Sequence, residues 1–100
     1  MSYSHLLHPL AYQDFIEAYV WYEEKHKGLG DRFAIAVSEQ IINITENPKV
    51  YGSKGRNSFR EAVMKDFPYV IVYKLSLQKE LVVISSIHHA KKHPRKKYRK

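Results

Sequence analysis

The chain has 100 residues and a mass of 11.8 kDa, with 44% hydrophobic and 13% aromatic residues, enough for one core and too few for two independent domains. It has no cysteine, which excludes a disulfide framework and any thiolate-based zinc or nucleophile chemistry, and fits a reducing, cytoplasmic setting. Its 17 Lys and Arg against 10 Asp and Glu give a formal charge of +7, and residues 91–100 (KKHPRKKYRK) hold seven of the basic groups and no acid.

Met1 to Phe15 lacks a positively charged start, and Pro9, Gln13 and Asp14 interrupt its apolar stretch, so no signal peptide is expected. No run reaches the roughly 18 apolar residues of a membrane span. Ser2 to Leu7 alternates weakly and predicts a short strand that ends before Pro9. From Pro9, a residue suited to a first helical position, Ala11, Phe15, Ala18, Tyr19 and Tyr22 form one helical stripe. Asp14, Glu17 and Glu24 fall beside or opposite it. Gly28-Leu29-Gly30 breaks the pattern, and a second stripe runs through Phe33, Ala34, Val37, Ile41 and Ile44 until Asn47-Pro48. The two form an antiparallel helical hairpin that should pack through Phe15, Ala18, Tyr22, Phe33, Val37 and Ile41.

After a polar loop from Tyr51 to Ser58 the period changes to that of strands. Phe59 to Met64, Phe67 to Leu75 and Leu81 to His88 read as an antiparallel meander with Val70 to Tyr73 at its centre. The expected fold is therefore α+β: a small antiparallel sheet in the order β-α-α-β-β-β with the hairpin packed on one face. One domain spans residues 1–90, and residues 91–100 form a basic C-terminal tail.

Charge divides the body. Residues 1–48 carry three basic and seven acidic groups, net −4, whereas residues 49–79 carry seven and two, net +5. The C-terminal half thus suits an anionic partner, nucleic acid or an acidic protein segment.

The runs FREAVMKDFPYVIVYKL and LVVISSIHHAKKHP, with Ala11, Trp21-Tyr22, Gly28-Leu29-Gly30, Phe33 and Asn47-Pro48 upstream, resemble the RelE/ParE superfamily of toxins from bacterial type II toxin-antitoxin modules, the plasmid stabilisation proteins. The resemblance covers about residues 3 to 94. Phe67-Pro68-Tyr69 and Tyr73, between Arg60 and the His89 and Pro94 positions, are its most specific part. It implies the same fold, a cognate antitoxin bound in a hetero-oligomer, growth inhibition, and one of two targets. Some members are similar to ribonucleases that cut mRNA in the ribosomal A site, and the ParE branch poisons DNA gyrase. Ribonuclease members carry a sheet arginine three residues before the tyrosine matching Tyr73; here that position is Val70, which favours the gyrase branch.

RNA cleavage needs a base for the 2′-hydroxyl, cations for the phosphorane and an acid for the leaving oxygen. His89, which matches the family histidine, and Tyr98 are the catalytic candidates if the chain is a ribonuclease. Adjacent strand residues face opposite ways, so only one of His88 and His89 faces a shared site. A solvated or capping histidine is the plainer reading of either. Arg60, Lys74, Lys54, Arg56, Lys91 and Lys92 are the candidates for binding a target or its phosphates, with a solvated sheet edge, or an Arg60 ion pair to Glu61 or Asp66, as the plainer readings. Trp21, at the border of the apolar stripe, is the candidate antitoxin contact. The antitoxin is expected to bind as an extended acidic segment pairing with Arg60, Lys74 or the tail. His89 and His93 have zinc-like spacing, but no Cys or acid lies nearby, so neither a metal nor a cofactor is expected. A basic nucleic-acid-binding module without toxicity is the remaining alternative.

Overall fold

In a computed structural model that describes residues 2–52 and 59–91, β1 (Ser4–Leu7) leads directly into α1 (Pro9–Lys25). His8 caps the helix, its Nδ1 accepting from Leu10 N–H at 3.0 Å, and Pro9 supplies a first position that needs no donor. The turn to α2 (Leu29–Glu46) is made at Gly28, whose φ of +89° lies in the left-handed region. Glu23, near the end of α1, reaches across, and its two carboxylate oxygens accept from Gly28 and Gly30 N–H, both at 2.9 Å. One side chain thereby satisfies two of the donors that a helix start leaves open and puts negative charge where the α2 dipole favours it. The helices meet closely there: a Cβ on Gly30 would lie 2.8 Å from the Tyr19 carbonyl oxygen. Tyr19 OH adds a hydrogen bond to Asp31 at 2.6 Å.

Of the six residues expected to join the hairpin to the sheet, Ala18, Tyr22, Phe33, Val37 and Ile41 are buried in the core, and Phe15, partly buried, packs against it. Phe33 is at its centre, fully buried, stacked on Phe15 at 5.9 Å and met by the edges of Phe67 and Tyr69 at 5.2 and 5.1 Å. Tyr22 closes the cluster, 5.2 Å from Phe33 and 5.1 Å from Phe67. These rings join the two helices and the turn before β3 in one apolar unit.

The sheet contains β2 (Phe59–Val63), β3 (Tyr69–Ser76) and β4 (Leu81–His89) as the expected antiparallel meander, in the order β1-β4-β3-β2. The expectation of an antiparallel sheet throughout is corrected at one pairing: β1 runs parallel to β4, with Ser4 opposite Leu81 and Leu7 opposite Ile84, so the sheet is mixed. Parallel neighbours require a long crossover, and the whole helical hairpin with β2 and β3 provides it. β3 starts at Tyr69 rather than Phe67 because Phe67-Pro68 forms the turn, where Tyr69 N–H donates to Phe67 O and Ala90 N–H to Pro68 O.

One irregularity decides which side chains share a face. Between β3 and β4 the register shifts: Val72 faces Ser86 but Tyr73 faces Ile84, making Ser85 the extra residue of a β-bulge. Ala62, Ile71, Tyr73, Val82, Ile84 and Ile87 all join the core beneath the helices. Phe59, Val70 and Val72 form a separate buried cluster belonging to the opposite face.

Candidate functional site

Of the cations proposed to hold a target, Arg60 is turned inward. Its register partner is Tyr73, a core residue on the helix side, and its Nη1 donates to the carbonyl oxygens of Lys49 and Tyr51. The guanidinium thus fastens the segment that follows α2. Tyr73 OH fastens the same segment by donating to Pro48 O. Burial pushes the Tyr73 phenol up to about 12, with Arg60 opposing and Tyr51 adding to the shift. Near neutral pH this hydroxyl is a committed donor, not an exchangeable proton.

Lys74 lies on the other face. It is exposed, it pairs in register with Phe59, and its Nζ stands 5.6 Å from that ring's centroid. His89 does not share this face. It is opposite Tyr69, the rings 5.4 Å apart and edge to face, and Tyr69 packs on the helix-side core. Its Nδ1 accepts from Lys91 N–H at 3.1 Å, so the neutral ring carries its proton on Nε2 and has no lone pair left to act as a base unless that bond opens. The exposed Lys91 enters the site through this backbone contact. His88, the histidine set aside in the sequence, pairs with Val70, and its Nδ1 is 3.5 Å from Ser86 Oγ, on the face that carries Lys74. Lys54, Arg56, Lys92 and Tyr98 lie outside the described residues.

Trp21 is 52% exposed, edge-on to Tyr22 at 5.1 Å, with Lys25 Nζ 5.0 Å from its ring centre. It forms one wall of a groove of about 770 Å³ between α1 and the end of β4, together with Asp14, Glu17, Tyr69, Ile87 and His89. Burial raises the Tyr69 phenol, helped by Tyr22 and the Asp14 charge. Asp14 was legible only as a polar-face residue, yet its carboxylate accepts from Ile87 N–H at 3.1 Å, at the point where β4 runs on past β1. Nothing in the spacing of the sequence predicts that contact, which joins residues 73 positions apart.

Among the described residues, then, a histidine, an arginine and a lysine of the expected set lie in three separate settings. Each can bind or brace; together they do not converge on one reacting phosphate.

Similar architecture recurs in solved structures. The chromosomal ParDE toxin-antitoxin system of P. aeruginosa contains a chain that matches with a TM-score of 0.77 at 13% identity, covering 90% of this chain and 98% of that one. The toxin-antitoxin complex RelBE2 of Mycobacterium tuberculosis matches with a TM-score of 0.63 at 18% identity over 89% and 99% of the two chains. A free mutant of the toxin RelE of E. coli gives 0.65 at 15% identity over 91% and 86%. At these identities the likeness establishes the α+β fold. Comparison with the curated proteins finds no match. Residues 6–94, however, fit the model of the ParE toxin of the type II toxin-antitoxin system parDE. With nearly its whole length matched, the chain belongs to the ParE toxin family of type II toxin-antitoxin systems.

Proposed function

We propose that this toxin acts by binding and poisoning DNA gyrase, and that a cognate antitoxin encoded beside it holds it inactive. The observation that carries the reading is the dispersal of the groups that RNA cleavage would need. Arg60 donates to carbonyls of the segment after α2, Val70 stands where ribonuclease members present an arginine, and His89 faces the helix side while Lys74 faces away. Phosphoryl chemistry needs base, acid and cation within hydrogen-bond reach of one phosphate. A poison needs only a surface that binds. Among the described residues, the separated positions fit the second demand better than the first.

A ribosome-dependent ribonuclease is the second reading, and one observation keeps it specific: His88, rather than His89, shares a face with Lys74. The test offers the purified chain two substrates, gyrase with supercoiled DNA and programmed ribosomes with mRNA in the A site. Trapped, cleaved DNA is the expected result, with His88→Ala and His89→Ala each weakening it by less than about tenfold. A-site cuts in mRNA that fall by the roughly 100- to 10,000-fold contribution of a general acid or base in either variant would overturn the proposal.

A further inference from the structure

We infer that the groove between α1 and the end of β4 receives an extended, arginine-bearing segment of a partner protein. That the partner is the antitoxin rests on the function proposed above; the chemistry of the groove does not.

Three features define the occupant. The first is the place where the β1–β4 pairing ends. β1 pairs with β4 only as far as Ile84, where His8 N–H donates to Ile84 O at 2.9 Å; beyond it the edge is faced by α1 instead of a strand. Asp14 already serves there as a substitute acceptor for Ile87 N–H. The slot left between α1 and this end of β4 runs along the strand and suits an extended segment held through its side chains. The second is size and lining: about 770 Å³, within the roughly 300–1,000 Å³ of ordinary ligand sites, walled by Trp21, Tyr22 and Tyr69.

The third feature selects the charge. Both charged side chains that α1 places in the lining of the groove are carboxylates, Asp14 and Glu17, with the Lys25 ammonium beyond them over Trp21. Glu17 is exposed and makes no ion pair among the described residues. A planar guanidinium can stack on an indole or phenol face while its edge donates to a carboxylate, which an ammonium does less well. Trp21 already accommodates one cation, Lys25 Nζ at 5.0 Å from the ring centre.

This runs against the bulk charge. A chain of +7 draws acidic segments to itself at long range, and an acidic antitoxin segment is what Arg60, Lys74 and the tail suggested. The groove, to which α1 brings Asp14 and Glu17 from the half of net −4, selects the opposite sign, so the two preferences are separable by experiment.

Trp21 is the only tryptophan and reports on the groove directly. The full chain is titrated at low salt with the capped peptides Val-Arg-Val-Arg-Val and Val-Glu-Val-Glu-Val, and with a short oligouridylate, each up to about 1 mM. Only the arginine peptide should shift Trp21 emission saturably, and Glu17→Gln should weaken it tenfold or more with an unchanged circular dichroism spectrum. An emission shift from the glutamate peptide or the oligouridylate of equal size, no shift from the arginine peptide, or indifference to Glu17→Gln would each overturn the inference. A chain that poisons gyrase yet ignores the arginine peptide refutes the groove assignment alone. One that binds the peptide and leaves gyrase untouched refutes the target alone.

Discussion

Replacing Tyr73 by Phe should reverse in effect between neutral and alkaline pH. At pH 8 the variant loses the hydrogen bond to Pro48 O and leaves that carbonyl to find another donor, a cost of about 1 kcal/mol. The phenol that remains in the wild type titrates at about 12 in the folded chain, because burial disfavours the phenolate, against about 10 when unfolded. A folded-state value raised in this way stabilises the fold fully below pH 10, and the contribution drains away as pH rises from 10 through 12. Between those values each pH unit removes about 1.4 kcal/mol, so the loss reaches roughly 1.4 kcal/mol at pH 11 and 2.3 kcal/mol at pH 12. The wild type should therefore lead by about 1 kcal/mol at pH 8, draw level near pH 11 and trail above it. Tyr69, Tyr22 and Tyr19 are also raised, but both proteins keep them and they cancel in the difference. Urea denaturation of the two chains at pH 8, 10 and 11 measures it. A gap that stays constant across those three values would refute the claim that Tyr73 is buried as a neutral donor.

Phe33→Ala removes the ring on which Phe15, Tyr22, Phe67 and Tyr69 converge and should cost about 3–5 kcal/mol in urea or thermal unfolding. Gly30→Ala should destabilise by about 1–3 kcal/mol, because the new Cβ meets the Tyr19 carbonyl oxygen; helix propensity alone predicts a gain of about 1 kcal/mol, so the sign of the change decides. Arg60→Ala should lower stability by about 1.5–3 kcal/mol through its lost hydrogen bonds to the 49–51 segment, and Arg60→Lys should restore part of it, whereas Lys74→Ala should stay within about 0.5 kcal/mol.

The helices, the meander and their common core were legible because each rests on local signals. Pro9, the Gly28-Leu29-Gly30 break and Asn47-Pro48 mark the helix ends, and the stripes through Phe15 and Phe33 name the buried faces. What escaped depends on distant partners. The direction of β1 is set by which edge of the sheet it joins, and four residues of weak alternation carry no information about that. Glu23 looks like any acid on a solvated helix face until the turn brings Gly28 and Gly30 to it. Arg60 offers no sign in its own neighbourhood that the chain after α2 will return to cover it.

The face on which each histidine lies was not legible in the sequence, and the reason is geometric. Counting by twos from Val82 and Ile84, both of which point into the core, would put residue 86 and then His88 on the helix side and His89 on the side of Lys74. The bulge at Ser85 inserts one residue and reverses the parity: Ile87 enters the core, His89 follows it toward Tyr69, and His88 emerges beside Val70. Two serines in a β-branched run are weak evidence for a bulge. The consequence reaches the mechanism, since the histidine matched by resemblance is separated from the exposed lysine by the thickness of the sheet. The same reversal turns Ile87 N–H toward Asp14 and His89 toward Trp21's groove, so the insertion that separates His89 from Lys74 also helps to form the wall of that groove.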